Sequence, residues 1–296
     1  MAARRSTRRR FDDDTWDAPA PHSTPTVDHE DDAAPEPAWS TYRDAAHGPT
    51  PLPGWVVTDP RALDTDHGVM KTGKEADVSL LERRVPDDVV PDGPRSALMA
   101  VKRYRSAEHR MFHRDAGYLE GRRVKESREM RAIETRTAYG RKLIAGQWAA
   151  AEFSVLSRLW QLGAAVPYPV QLDGTELMME FIGTPAGEAA PRLAQLRPDR
   201  AGGRDLFAQL AELLRQLAEI GFAHGDLSAY NVLVHDGRVV LIDLPQAVDI
   251  VGNPQGFEFL RRDCDNICAW FARHGIHEAD PAALFAVLRR ASPGDD

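Results

Sequence analysis

Cysteine is scarce in this chain: 296 residues contain two, Cys264 and Cys268. That excludes a disulfide-stapled scaffold. A structural zinc site is excluded as well, because His274 and His277 nearby complete no standard ligand spacing with them. Both fall on a helical pattern with apolar positions Phe257, Leu260, Cys264, Ile267 and Phe271, so they read as reduced helix residues, with Cys264 in the core. Long apolar runs are also missing. No stretch approaches the ~20 apolar residues of a membrane helix, and MAARRSTRRR at the N-terminus runs into Asp12, Asp13 and Asp14 instead of an apolar signal core. These absences predict a cytoplasmic protein with no membrane partner. Nothing repeats internally.

Basic charge is in deficit overall, with a net charge of -8, but its distribution says more than its total. The first ten residues carry five arginines, whereas residues 11–37 carry nine acidic side chains, five prolines and no Lys or Arg. Such a stretch buries too little apolar surface to offset its ordering entropy, so residues 1–50 are expected to form a disordered charged tail. Hydrophobic content of 43% suits a globular remainder beginning near Trp55.

Downstream, GVMKTGKEADVSLL (68–81) reads as two strands around a glycine turn, and ALMAVKRY (97–104) as a third strand carrying Lys102. The next helix sets Trp148, Glu152, Val155, Leu156 and Leu159 on one face. A carboxylate on an apolar stripe is costly unless paired, and Lys102 is the natural cation for Glu152. LMMEFIG (177–183) reads as a strand entering a connector. A helix follows over 206–220, with Asp205 as its N-cap and Gly221 as its stop. Strands first and helices later give an α+β, two-lobed fold: a small antiparallel-sheet N-terminal lobe over 51–182 and a reduced helical C-terminal lobe over 183–296.

The segment HGDLSAYNVLVHDGRVVLID (224–243) concentrates the chemistry. Its two apolar runs are joined by Asp236-Gly237, a tight-hairpin signal that brings Asp243 back beside Asn231. An amide oxygen and a carboxylate can then share one hard divalent cation while Asp226 orients a nucleophile. An acidic loop or a strand-end cap explains any one of the three residues, but not all three at this spacing. Gly68, Gly73 and Lys74 mimic a Walker A motif, yet Glu75 stands where Ser or Thr must reach magnesium. As a hairpin lid the same segment serves better: Gly73 lets backbone amides approach phosphates, and Lys71 or Lys74 adds positive charge. Lid, Lys102, Glu152, Asp226, Asn231 and Asp243, in that order, are the parts of a kinase-like site.

Together GVMKTGKEADV, MAVKRY, LMMEFIG, HGDLSAYNVLV, LIDLPQAV and FEFLRRDC resemble the RIO family of atypical serine/threonine kinases, over about Trp55 to Phe271. The resemblance implies ATP under the Lys71, Thr72, Gly73, Lys74, Glu75 and Ala76 loop and against Val78. It puts adenine against Glu180 to Ile182 beside Met179, and Lys102 on the phosphates. Asp226 becomes the catalytic aspartate, with Asn231 and Asp243 holding Mg2+ or Mn2+. It also allows Asp243 itself to accept phosphate. The family's flexible loop corresponds here to the basic stretch 103–147, where Ser127, Thr135 and Thr137 are candidate autophosphorylation sites. Lys71 and Asp77 depart from the Ser and Asn of many relatives, and Pro245 replaces a small polar residue.

Other functions stay open. The HGD loop and Ile-Asp strand end also occur in small-molecule phosphotransferases of the aminoglycoside-kinase type, against which TGKEA and the short C-terminal lobe argue. Twelve Lys or Arg against six acids in 103–147, with four aromatics among them, suit RNA contact, hence an ATP-gated switch on RNA or a ribosomal particle. The protein substrate, possibly the chain itself, is not legible.

Overall fold

A computed structural model describes residues 36–73, 75–105 and 138–293, with side chains from 142 onward in the last segment. Residues 1–35, Lys74 and the proposed phosphorylation sites Ser127, Thr135 and Thr137 lie outside the described residues.

Seven antiparallel strands make the N-terminal half. They are β1 (Ala38–Trp39), β2 (Ala46–His47), β3 (Leu63–Thr72), β4 (Ala76–Arg84), β5 (Ser96–Tyr104), β6 (Pro169–Asp173) and β7 (Glu176–Glu180), in the order β1-β3-β4-β5-β7-β6-β2. The two outermost strands correct the expected 1–50 tail. Ala38 and Trp39 pair with Asp64 and Leu63, while Ala46 and His47 pair with Leu172 and Gln171. Between them Tyr42 is buried against Val56, Leu81, Met99 and Tyr168. The acidic, proline-rich composition ends before these residues, and one buried aromatic with two edge pairings is enough to hold the segment on the sheet.

The sheet has two working faces, because alternate residues of a strand point to opposite sides. Met99 and Val101 join the cluster with Tyr42 and Tyr168, whereas Tyr104 packs with Trp148 and Ala149 of helix α1 (Ala138–Gln161). Cross-strand partners point the same way, so the ladder Val78–Lys102–Leu177 puts Val78 and Lys102 on one face.

The C-terminal half is helical around a short hairpin. It comprises α2 (Arg200–Glu219), β8 (Phe222–Ala223), β9 (Val232–His235), β10 (Arg238–Leu241), β11 (Val248–Asp249), α3 (Gly256–Arg273) and α4 (Pro281–Ala291). Asp205 is not the cap of α2, which starts a turn and a half earlier, with the Asp199 side chain accepting from Gly202 N at 2.7 Å. Two glycines at 202 and 203 argue locally against helix. Packing overrides them: a Cβ at Gly203 would lie 2.5 Å from Ile276, so close contact with that side chain needs glycine. Gly221, at φ +86°, does end the helix, and Asp280 caps α4 through Ala283 N at 2.8 Å. Cys264 and Cys268 are both buried on α3, and burial pushes each thiol up to about 12.

Candidate active site

Lys102 is held from two sides. Its Nζ donates to Glu152 Oε1 at 2.9 Å and to Asp243 Oδ1 at 2.6 Å. Glu152, 1% exposed on α1, also accepts from the Tyr104 hydroxyl and from Leu244 N at 2.9 Å. One carboxylate therefore gathers a strand cation, a strand phenol and the backbone just past Asp243. Burial disfavours a charged Lys102, yet the charges and hydrogen bonds of Glu152 and Asp243 outweigh it and raise its pKa, so the ammonium persists. For Tyr104, burial and then the Glu152 charge push the phenol well above its usual range.

The Asp226 loop is built on glycine and a buried acid. Gly225 adopts φ +84°, and a Cβ there would meet Gln246 O at 2.5 Å. Asp263 of α3, 1% exposed, accepts from Gly225 N at 2.8 Å and from Leu227 N at 3.0 Å, the amides flanking Asp226. Arg262 donates to Gly225 O, and Asn266 to Leu227 O at 3.4 Å. Burial raises the Asp263 pKa, with His224, the two amides and Arg262 opposing. Asp226 itself projects into solvent. Sequence reasoning missed Asp263, although it stands inside FLRRDC; the signal was a carboxylate next to the apolar stripe of α3, the same that exposed Glu152.

The β9–β10 hairpin turns through Asp236 at φ 48° and Gly237 at φ 74°, a type I′ geometry. Its pairing puts Val232 opposite Leu241, and one step beyond, Ile242 N donates to Asn231 O at 3.0 Å. Asn231 and Asp243 are thus neighbours at the open end. Asn231 is oriented by its own loop: Nδ2 donates to Asp226 O at 3.2 Å and Oδ1 accepts from Ser228 Oγ at 3.2 Å. Asp243 adopts φ 68°, a left-handed turn that lets its carboxylate meet Lys102. Burial would raise its pKa, but Lys102, His224 and Lys71 together lower it.

Above lies the turn between β3 and β4. Gly73 N donates to Ala76 O at 2.9 Å, and Glu75 accepts from Gln246 Nε2 at 2.5 Å. Glu75 is thereby tied to the segment after Asp243. Desolvation and the Arg192 charge lower the Lys71 pKa, while Asp243 opposes them. Thr72, opposite Asp77, ends β3. Val78, Lys102 and Met179 share the cleft face of the sheet, since Val78 pairs with Lys102 and Met179 with Ala100 two residues away. Glu180 turns to the other side: its N–H and carboxylate both engage Tyr168, at 2.8 and 3.1 Å. Ile182 O accepts from Ala190 N at 2.9 Å.

A glycine turn over a buried Lys–Glu pair, an exposed Asp on a pinned loop and an Asn–Asp pair at a hairpin end is a kinase-like arrangement. Comparison with known proteins decides which kind. The RIO domain profile matches residues 91–284. The chain belongs to the RIO family. This RIO chain is 35% identical over 224 residues to the RIO-type serine/threonine-protein kinase Rio1 of Haloferax volcanii, covering 75% of the chain and 68% of that protein. It is 31% identical over 247 residues to the serine/threonine-protein kinase RIO3 of Homo sapiens, covering 81% of the chain but 45% of the human protein. Its fold is similar to that of the Rio2 kinase from Chaetomium thermophilum, with a TM-score of 0.56 at 20% identity over 78% of this chain and 63% of that one. A second structure of that kinase is its ADP/Mg2+-phosphoaspartate complex, with a TM-score of 0.55 at 19% identity. The profile match begins after the 68–76 turn, which carries part of the sequence resemblance.

The donor set suits a magnesium nucleotide. Asn231 and Asp243 lie side by side with one amide oxygen and one carboxylate, two hard oxygen donors that could serve as the protein ligands of a magnesium ion whose shell phosphates and water complete. No cluster of three His, Cys, Asp or Glu residues able to hold a metal occurs among the described residues, and a site of this kind does not need one. No described helix is long and apolar enough to cross a membrane.

Proposed function

We propose that this RIO chain transfers the terminal phosphoryl group of ATP to a serine or threonine hydroxyl, with Asp226 orienting the acceptor. The observation that carries this reading is that, of Asp226, Glu152 and Asp243, Asp226 alone is exposed and has no cationic partner among the described residues, while Glu152 and Asp243 both engage Lys102. An acceptor hydroxyl can donate its hydrogen bond to Asp226, which fixes the attacking oxygen and takes its proton as the new O–P bond forms and the bond to ADP breaks. Lys102, kept charged by Glu152, attracts the phosphates, and Lys71 adds charge from the lid. Asn231 and Asp243 would hold Mg2+, or Mn2+ in its place, which supplies charge neutralisation on the phosphates. Val78 and Met179 offer the apolar surface for adenine beside the connector Glu180–Ile182, and Thr72, Gly73, Glu75 and Ala76 cover the phosphates; the sequence assigns Lys74, outside the described residues, to the same role.

The division into lobes near 182/183 belongs to the same reading, as do autophosphorylation at Ser127, Thr135 or Thr137 and an RNA or ribosomal partner for the basic stretch. A phosphoaspartate variant is favoured by one observation: one Rio2 structure is an ADP/Mg2+-phosphoaspartate complex, and Asp243 is the more exposed of the two acids that bond Lys102, the cation this reading sets on the phosphates. Labelled ATP supplied with purified protein, with and without cell extract, tests the assignment. Label on serine or threonine supports direct transfer, and hydroxylamine-labile label lost in Asp243→Asn supports the variant. Asn231→Ala and Asp243→Ala should each raise the magnesium requirement of turnover; unchanged magnesium titrations in both contradict the ligand assignment.

A further inference from the structure

On the sheet face opposite the nucleotide cleft lies a cavity of about 270 Å³ that the proposed reaction does not use. Its floor is apolar, from Leu81 and Met178, and its rim carries Trp39, 69% exposed. Between them stands Gln171, with no exposed surface, donating through Nε2 to Thr41 Oγ1 at 2.8 Å. That bond fixes the amide, and its Oε1 is left without a hydrogen-bond partner among the described residues. Gln171 lines the cavity, and a buried carbonyl oxygen beneath its wall with nothing to accept from is open to a donor that reaches it.

The charge around it has one sign in excess. Five carboxylates line the cavity, from Glu36, Asp64, Asp66, Asp173 and Glu176, against one lining guanidinium, Arg103. Arg103 serves Asp66 at 2.7 Å and Glu176 at 2.9 Å, and Arg83 behind the wall serves Asp64 at 2.7 Å. Asp173 and Glu36 have no cationic partner among the described residues. Two carboxylates unpaired among the described residues and an exposed indole stand at the opening, with the unsatisfied carbonyl buried behind them.

We infer that this cavity binds a guanidinium group, the arginine side chain of a basic peptide. Its planar fork donates to a carboxylate and a carbonyl together, its plane stacks on an indole, and its aliphatic stem suits the apolar floor. A lysine ammonium offers a point charge without the fork or the stacking plane. The occupant lies across the sheet from Lys102, because cavity residues Arg103 and Glu176 alternate with Lys102 and Leu177 along β5 and β7.

The test is titration of the full chain with blocked Gly-Arg-Gly, Gly-Lys-Gly and Gly-citrulline-Gly peptides at 0.15 M salt, where the general attraction of an acidic protein for cations is largely screened. Calorimetry and tryptophan fluorescence report binding. Saturable one-to-one binding of the arginine peptide is expected, at least about tenfold tighter than for the lysine or citrulline peptides. Trp39→Ala and Asp173→Asn, both at exposed positions, should each weaken it with unchanged melting and unchanged nucleotide affinity, whereas Gln171→Leu tests the buried carbonyl at greater risk to folding. Equal binding of all three peptides, no saturation, or full affinity in both surface variants overturns the assignment.

Discussion

Glu152 is where the two halves of the molecule meet, since its carboxylate takes bonds from β5 through Lys102 and Tyr104 and from the C-terminal half through Leu244 N. Removing one member of a buried ion pair strands the other, at about 3–5 kcal/mol. Lys102→Met and Glu152→Gln should therefore each lower stability and ATP use, and the double variant should lose much less than the sum; additive losses in a double-mutant cycle would mean that the contact is not shared. Tyr104→Phe leaves a buried carboxylate oxygen short of a donor and should cost roughly 1–3 kcal/mol in denaturant unfolding. The phenols also set an alkaline limit. Burial raises Tyr104, and it raises Tyr168 to about 12, so above pH 10 the unfolded chain releases phenolic protons that the folded chain keeps. Stability falls as pH rises through that window. An ultraviolet titration should show late ionisation that shrinks in Tyr168→Phe, and ordinary ionisation of Tyr168 would contradict its burial. The Lys102–Glu152 pair was legible in sequence because a charge on an apolar stripe demands a partner. Tyr104 was not, because a tyrosine in a strand advertises no such need.

At the level of elements, the Asp226 loop depends on α3 more than on its own residues. Asp263 clamps the amides on either side of Asp226, and Gly225 supplies a turn that other residues reach only with strain. A methyl group at Gly225 meets both a left-handed backbone, at about 1–2 kcal/mol, and the Gln246 carbonyl at 2.5 Å. Gly225→Ala should accordingly lower both the melting temperature and turnover while ATP still binds to the N-terminal half; wild-type turnover would show that the loop tolerates displacement. Elements with a local signal were readable: the Asp-Gly hairpin and the Gly221 stop both match turn and cap chemistry. The start of α2 was hidden, since Gly202 and Gly203 speak against helix and Ile276, more than seventy residues away in sequence, supplies the contact that admits them. The edge strands β1 and β2 were hidden for a similar reason. At two residues each they carry no periodicity, and only pairing with β3 and β6 defines them.

For the whole molecule, the order of motifs along the chain was the strongest signal, because a glycine turn, a strand Lys, a helix Glu and an Asn–Asp hairpin occur in sequence only if folding brings them together. The face of the sheet opposite the cleft gave no such signal; its cavity is assembled from β1, β3, β4, β5, β6 and β7, with Glu36 and Thr41 beside them, and only strand pairing brings these together. The central claim is that Asp226 acts on the acceptor and not on the nucleotide. Measuring ATP affinity and phosphoryl-transfer rate side by side for the native chain and Asp226→Ala tests it most directly. The account predicts nearly unchanged affinity and a rate lower by ~10²- to 10⁴-fold. An unchanged rate, or a loss of affinity as large as the loss of rate, would contradict it.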